Sequence, residues 1–321
     1  MQIFKNPNFD FVRWRWHALV LSMIVIAAGL YMIGTRGLKK GVDFEGGTAV
    51  TLQFHQTPDL GRIRSALTSD AVVQQFGPAD KNQVLIRVKR TGEEQGGDLS
   101  READNIIQTL KSADVGTFDD QPVKTEIVGP VVGEQLRRQG ILATVLAMAG
   151  ILVYIALRFQ FSFAVGAVVA TLHDLLVTLA FLSFFQYDMT LNVVAAILTI
   201  TGYSVNDTIV VFDRVRENLR SMRRDNLAHV INVAVNQTLS RTVITAGTTL
   251  LSVLALYLFG GEVLKGFAFA MLVGIISGTY STVFIAASIA LLFQRGRPLK
   301  GQPAAAAPAA KTERPSRRRA S

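Results

Sequence analysis

Apolar residues along the chain gather into six runs, near 17–34, 139–157, 161–185, 190–212, 243–259 and 267–293. Each approaches or exceeds the roughly 20 helical residues that cross a bilayer core of about 30 Å. The pattern therefore predicts a polytopic α-helical membrane protein with six transmembrane helices. Lys5, Arg13 and Arg15 precede the first run, and no small-residue cleavage site follows it. It is expected to remain as an anchor.

Between the first two runs, over 35–138, the pattern changes character. The stretch "GTAVTLQF" (47–54) alternates and is rich in β-formers, which predicts a strand. A helix entered through Pro58 and Asp59 follows in "DLGRIRSALTS". Two strands, "VVQQF" and "QVLIRVKR", flank a hairpin-like "GPADKN". The glycines and charges of Glu93–Asp98 mark a mobile loop. An amphipathic helix then places Ala103, Ile106, Ile107 and Leu110 on one face, and "VKTEIVGPVVG" reads as a last strand. The order β-α-β-β-α-β predicts a ferredoxin-like α+β domain, long enough to fold by itself.

Charge settles how these parts are expected to sit. The 321-residue chain is half hydrophobic and 18% charged, too apolar for an ordinary soluble protein. Its net charge of +9 suggests nucleic acid only until it is located. Residues 41–137 carry −5, and the remainder carries +14. The positive charge flanks apolar runs, at Arg158, at Arg214, Arg216, Arg220, Arg223, Arg224 and Arg241, and at Arg295, Arg297 and Lys300. The opposite connections, Gln186–Asp188 and Gly260–Lys265, are nearly free of it. The positive-inside rule then predicts a cytoplasmic 1–16, both termini cytoplasmic, and an extracytoplasmic 35–138. The tail 294–321, rich in Pro, Ala and Arg, is expected to be disordered and to touch at most anionic lipid or the ribosome.

Against this background a few polar residues stand out. Asp207, beside Asn206, lies six residues before Asp213, about 9 Å below the charged boundary. Aspartate is too short to reach the surface from that depth, and a carboxylate there points to function. His173 and Asp174 lie near the middle of the third run, the materials of a proton relay or of a polar packing lock. Arg241, Thr245, Thr248 and Ser252 fall on one stripe of the fifth run, so Arg241 is either a partner for Asp207 or a positive-inside anchor. The partner of Asp207 stays open between Arg241 and the His173–Asp174 pair. Gly274 and Gly278 form a GxxxG and Gly202 lies in another small-residue stretch, which predicts close helix packing. The chain has no cysteine, hence no disulfide or thiolate metal site. No metal-ligand spacing, phosphate loop or nucleophile elbow appears, so neither an enzyme nor an ATP-driven motor is expected, and no cofactor.

Five stretches together resemble the SecD/SecF family of protein-export membrane subunits, over roughly Ile3 to Leu292. They are "GVDFEGGT" with Gly41, Asp43, Gly46 and Gly47, then "VGPVVGEQL", "LHDLLVT", "GYSVNDTIVVFDRVREN" and "SRTVITAGTT". The resemblance implies membership of the resistance-nodulation-division superfamily of proton-driven transporters and residence in a bacterial inner membrane. It implies a twelve-helix unit formed with SecD, and SecYEG, YajC and SecA-dependent preproteins as further partners. By motif match, Asp207 and Arg241 take the proton-conducting roles. A small-molecule or ion exporter of the same superfamily is the alternative, and the polar, acidic external domain is small for it.

Overall fold

The computed structural model describes residues 7–67, 71–77, 79–88, 99–128 and 130–294. The loop Glu93–Asp98 and the basic tail beyond Gln294 lie outside the described residues.

Six helices among the described residues are long and apolar enough to cross a membrane. They are α1 (Arg15–Arg36), α5 (Pro130–Arg158), α6 (Phe161–Phe184), α7 (Leu191–Ser221), α8 (Leu227–Phe259) and a composite sixth. The sixth joins α9 (Glu262–Ser281) to α10 (Ala287–Gln294) through a single π-helical turn over Thr282–Ala286. Such turns are rare and favour functional positions.

The remaining elements form the domain between α1 and α5. A short α2 (Val42–Glu45) leads into β1 (Gly47–Gln53). Then follow α3 (Leu60–Ala66), β2 (Ala71–Phe76), β3 (Gln83–Val88), α4 (Leu99–Ser112) and β4 (Lys124–Val128). The sheet order is β2-β3-β1-β4, with every neighbouring pair antiparallel. With α3 crossing from β1 to β2 and α4 from β3 to β4, this is the split arrangement the β-α-β-β-α-β pattern predicts. Val50, Leu52, Val73, Val84 and Ile86 bury one sheet face against Ile63 of α3 and Ala103, Ile106, Ile107 and Leu110 of α4. Asp59 caps α3, accepting from the backbone N–H groups of Gly61 and Arg62 at 2.9 and 3.1 Å.

Two boundaries differ from the sequence reading. The "PVVG" that follows β4 is the first turn of α5 and not the end of a strand. Proline with its fixed φ suits the first helical position, where no N–H partner is needed. α8 begins at Leu227, well before its apolar run. Its early part is amphipathic and buries Val230, Ile231, Ala234 and Val235.

The membrane bundle has two apolar cores. One, toward the arginine-rich end, unites Phe163 and Ala167 of α6 with Phe212 of α7, Ile231 of α8 and Ala286. The other, toward the sheet domain, unites Leu182, Val193, Ile200, Met271 and Ile275. Between them along α6, α7 and α9 lies a polar layer. α1 touches α6 closely at Gly29, where a Cβ would stand 2.1 Å from that of Ala180. Most other α1 and α5 side chains, including Val20, Met23, Ile141 and Leu146, are exposed on the outside of the bundle. The segment before α1 is pinned on α8 by two asparagines. Asn236 and Asn232 accept from the backbone N–H groups of Phe9 and Phe11, both at 2.9 Å, and both donate to the Phe9 carbonyl.

Candidate functional site

The polar layer is centred on Asp174, 1% exposed. Ser204 of α7 and Ser281 of α9 donate to its Oδ2 at 2.6 and 2.7 Å. Ser277 of α9 donates to Oδ1 at 2.7 Å, and His173 Nδ1 lies 3.0 Å from the same oxygen. One carboxylate thus draws three helices together and is fully hydrogen-bonded, as a buried charge-bearing group must be. The glycines of α9 make the approach possible. A Cβ on Gly278 would stand 3.1 Å from that of Ser204, and one on Gly274 would stand 2.5 Å from the Ile200 side chain. Any larger residue pushes α7 away and takes Ser204 out of reach.

His173 is also inward, 7% exposed, although neighbours on a helix diverge by about 100°. Its ring stacks on Tyr280, 6.1 Å between centroids, and its Nε2 is buried without a partner among the described residues. It lines a cavity of about 280 Å³ with Ser22, Val177, Ser277 and Tyr280.

Asp207 sits one turn beyond Ser204 on α7, 5% exposed. Its Oδ2 is buried without a hydrogen-bond partner among the described residues. Its neighbour Thr208 shares a 2.9 Å hydroxyl contact with Thr282, the first residue of the π turn. Two partners were open for Asp207, and it forms an ion pair with neither. His173 and Asp174 bond to each other and to serines. Arg241 has an exposed side chain on the outer face of α8, while Asp207 points inward. No ion pair within 4.0 Å joins the two.

The outer face of α7 and α8 is polar at membrane depth. Arg241, Thr245, Thr248 and Ser252 are exposed along α8, and Thr199, Gly202 and Asn206 along α7. Thr245, Thr248 and Ser252 donate to carbonyls one turn back, which makes them tolerable in an apolar medium. Gly202 was expected to pack. No described atom comes within 4 Å of the place its Cβ would take, because it points away from α6 and α9 together with Asn206. Within this chain both residues lie on an uncovered surface.

A second constellation ties the sheet domain to the bundle. Gly41 N donates to the Met189 carbonyl and Met189 N to the Lys39 carbonyl, both at 2.7 Å. A Cβ on Gly41 would stand 2.9 Å from Met189 O. Asp43 Oδ2 accepts from Leu191 N, the first residue of α7, at 2.9 Å. Gly46 and Gly47 hold φ of +71° and +123°, a region side chains resist, and a Cβ on Gly133 would stand 2.9 Å from Gly46 N. Arg87 of β3 reaches Asp188 at 3.1 Å and the Lys40 carbonyl at 3.3 Å. The motif residues Gly41, Asp43, Gly46 and Gly47 thus build a joint between β1, the α6–α7 connection and the start of α5.

Sequence reasoning missed Ser204, Thr208, Ser277 and Thr282, and the joint's Arg87, Asp188 and Gly133. The signal for the hydroxyls was present. Ser204 and Thr208, like Ser277 and Ser281, are spaced by four and share a helix face.

Six spans with one α+β domain between the first and second define a polytopic transport subunit rather than a soluble binding module. The match to known proteins is specific. Residues 107–296 fit the family described as protein export membrane protein SecD/SecF, C-terminal, and residues 31–58 fit the SecD/SecF GG motif. The chain is 43% identical to the protein translocase subunit SecF of Vibrio alginolyticus, over 90% of this chain and 91% of that one. It is 44% identical to that of Pseudomonas aeruginosa, over 87% and 89%. The crystal structure of SecDF from Thermus thermophilus superposes with a TM-score of 0.79 at 32% identity, over 90% of this chain and 39% of that longer one. The chain belongs to the SecD/SecF family, on the SecF side of it.

Proposed function

We propose that this subunit works with SecD in the cytoplasmic membrane to draw exported proteins outward on proton influx, with Asp207 as the proton-binding group. The observation that carries the reading is the contrast between two buried carboxylates. Asp174 has all its hydrogen bonds made, whereas Asp207 has an oxygen with none. A buried acceptor left unpaired costs on the order of 1–3 kcal/mol, and a proton or water relieves it. Asp207 is therefore the group poised to change state and Asp174 the fixed frame. Arg241 supplies a positive charge with no ion pair among the described residues, on the exposed face that a SecD partner would cover.

In this reading 35–138 is extracytoplasmic and the arginine-rich end cytoplasmic, since Arg158, Arg214, Arg216, Arg220, Arg223 and Arg224 all cluster there. SecYEG and YajC are the further partners. Protonation removes the charge on Asp207, α7 repacks, and the joint at Asp43 carries the change to the sheet. One charge crossing 100 mV supplies about 2.3 kcal/mol, enough to bias a two-state element. Asp207→Asn should preserve the fold and SecD assembly yet lose proton-gradient-driven preprotein release from reconstituted vesicles. Release at the wild-type rate would sink the assignment.

A further inference from the structure

A cavity of about 1030 Å³ opens at the arginine-rich end of the bundle, between the pinned segment before α1 and the first turns of α8. Arg13, Arg15 and Arg214 line it, with Trp16, Asn226 and His229. We propose that it binds the phosphate headgroup of an anionic phospholipid, drawn from the leaflet that surrounds this end. Arg13 and Arg15 make no ion pair with any described carboxylate, and Arg15 lies 5.7 Å over the Trp16 ring. Arg214 is held in place by Gln237 at 2.7 Å and Glu217 at 2.6 Å. Asp10, the one carboxylate among the lining residues, accepts from the Arg13 backbone N–H at 3.1 Å. Arg214 is neutralised by its ion pair with Glu217, so Arg13 and Arg15 against Asp10 leave the cavity with a small positive excess.

Two further features agree. α1 and α8 both begin at this cavity, and neither carries an acidic residue in its first turn. The positive end of the α1 dipole, which has no side-chain cap, therefore remains available to an anion, while that of α8 is capped by Asn226, which accepts from the His229 N–H at 2.7 Å. The lipid source follows from what lies beside the cavity. α1 runs away from it with Val20, Leu21, Met23 and Ile24 exposed, so acyl chains can follow that face while the headgroup stays in the cavity. Trp16, half-exposed, sits where indole rings favour the headgroup layer.

The test is lipid retention by the full chain in detergent, read by native mass spectrometry, with phosphatidylglycerol and phosphatidylcholine as probes and inorganic phosphate as competitor. Wild type should retain phosphatidylglycerol in preference. The Arg13→Gln/Arg15→Gln variant should lose that preference by roughly tenfold or more. Both residues have solvent-facing or half-exposed side chains, so the fold should survive. The Arg223→Gln/Arg224→Gln variant, with the same charge change at the same end but outside the cavity, should keep it. Equal retention of both lipids, or an equal loss in the two variants, would overturn the proposal. So would displacement of phosphatidylglycerol by millimolar inorganic phosphate, since the ligand would then be a soluble phosphate.

Discussion

Asp174 and Asp207 are separated by one turn of contact across α6 and α7, and they behave oppositely because of hydroxyls. Three serines converge on Asp174, while Asp207 keeps a bare oxygen. Replacing Asp174 with Ala orphans the buried hydroxyls of Ser204 and Ser277, while Ser281 keeps the Gly278 carbonyl at 3.2 Å, and a loss of about 3 kcal/mol is expected in thermal or denaturant unfolding. Ser204→Ala removes one donor and should cost about 1 kcal/mol. Near-wild-type stability for Asp174→Ala would mean the serines find other acceptors. Both carboxylates were legible in the sequence, because an acid in an apolar run has few innocent explanations. The serines were not. A serine in a membrane helix usually bonds its own backbone, as Ser252 does, so type alone does not mark one that reaches across to a neighbour.

At the scale of elements, the decisive contact is α7 against α9. Gly274 and Gly278 were readable as a close-packing motif, yet their partner was not, since the spacing names a face and not what meets it. The structure supplies Ile200 and Ser204. Gly278→Leu should overpack this crossing and destabilise by about 1–3 kcal/mol. It should also reproduce part of the Ser204→Ala loss, so the double variant falls short of additivity. Full additivity of the two effects would separate the glycine from the serine. The sheet domain was the most legible part, because alternation, turn residues and one amphipathic helix all agreed with its topology. The errors fell at its exit, where β-rich "VGPVVG" is divided between β4 and α5. Composition favoured a strand and Pro130 opened a helix.

The whole molecule presents one surface that cannot be its final one. Arg241, Thr245, Thr248, Ser252 and Asn206 face outward at bilayer depth, whereas Ile141, Val145 and Leu146 of α5 face lipid comfortably. A photo-crosslinker placed at Thr248 should capture SecD in native membranes, and one at Leu146 should not. Capture from Leu146 alone would put the partner on the other side. The polar stripe itself was legible in the sequence, but whether it faces into the bundle or out of it was not, since that depends on which helices cover one another.

The hydrogen bond from Leu191 to Asp43 has a mechanical consequence. α7 is unbroken from Leu191 through Asp207, seventeen residues or about 24 Å of stiff rod. With Asp207 as the proton-binding group proposed above, the helix acts as a lever with its load at one end and its actuator near the other. A tilt of about 5° at Asp207 moves the loaded end by roughly 2 Å over that length. This is a displacement comparable to a change of hydrogen-bond partner, delivered beside the glycine joint that leads into β1.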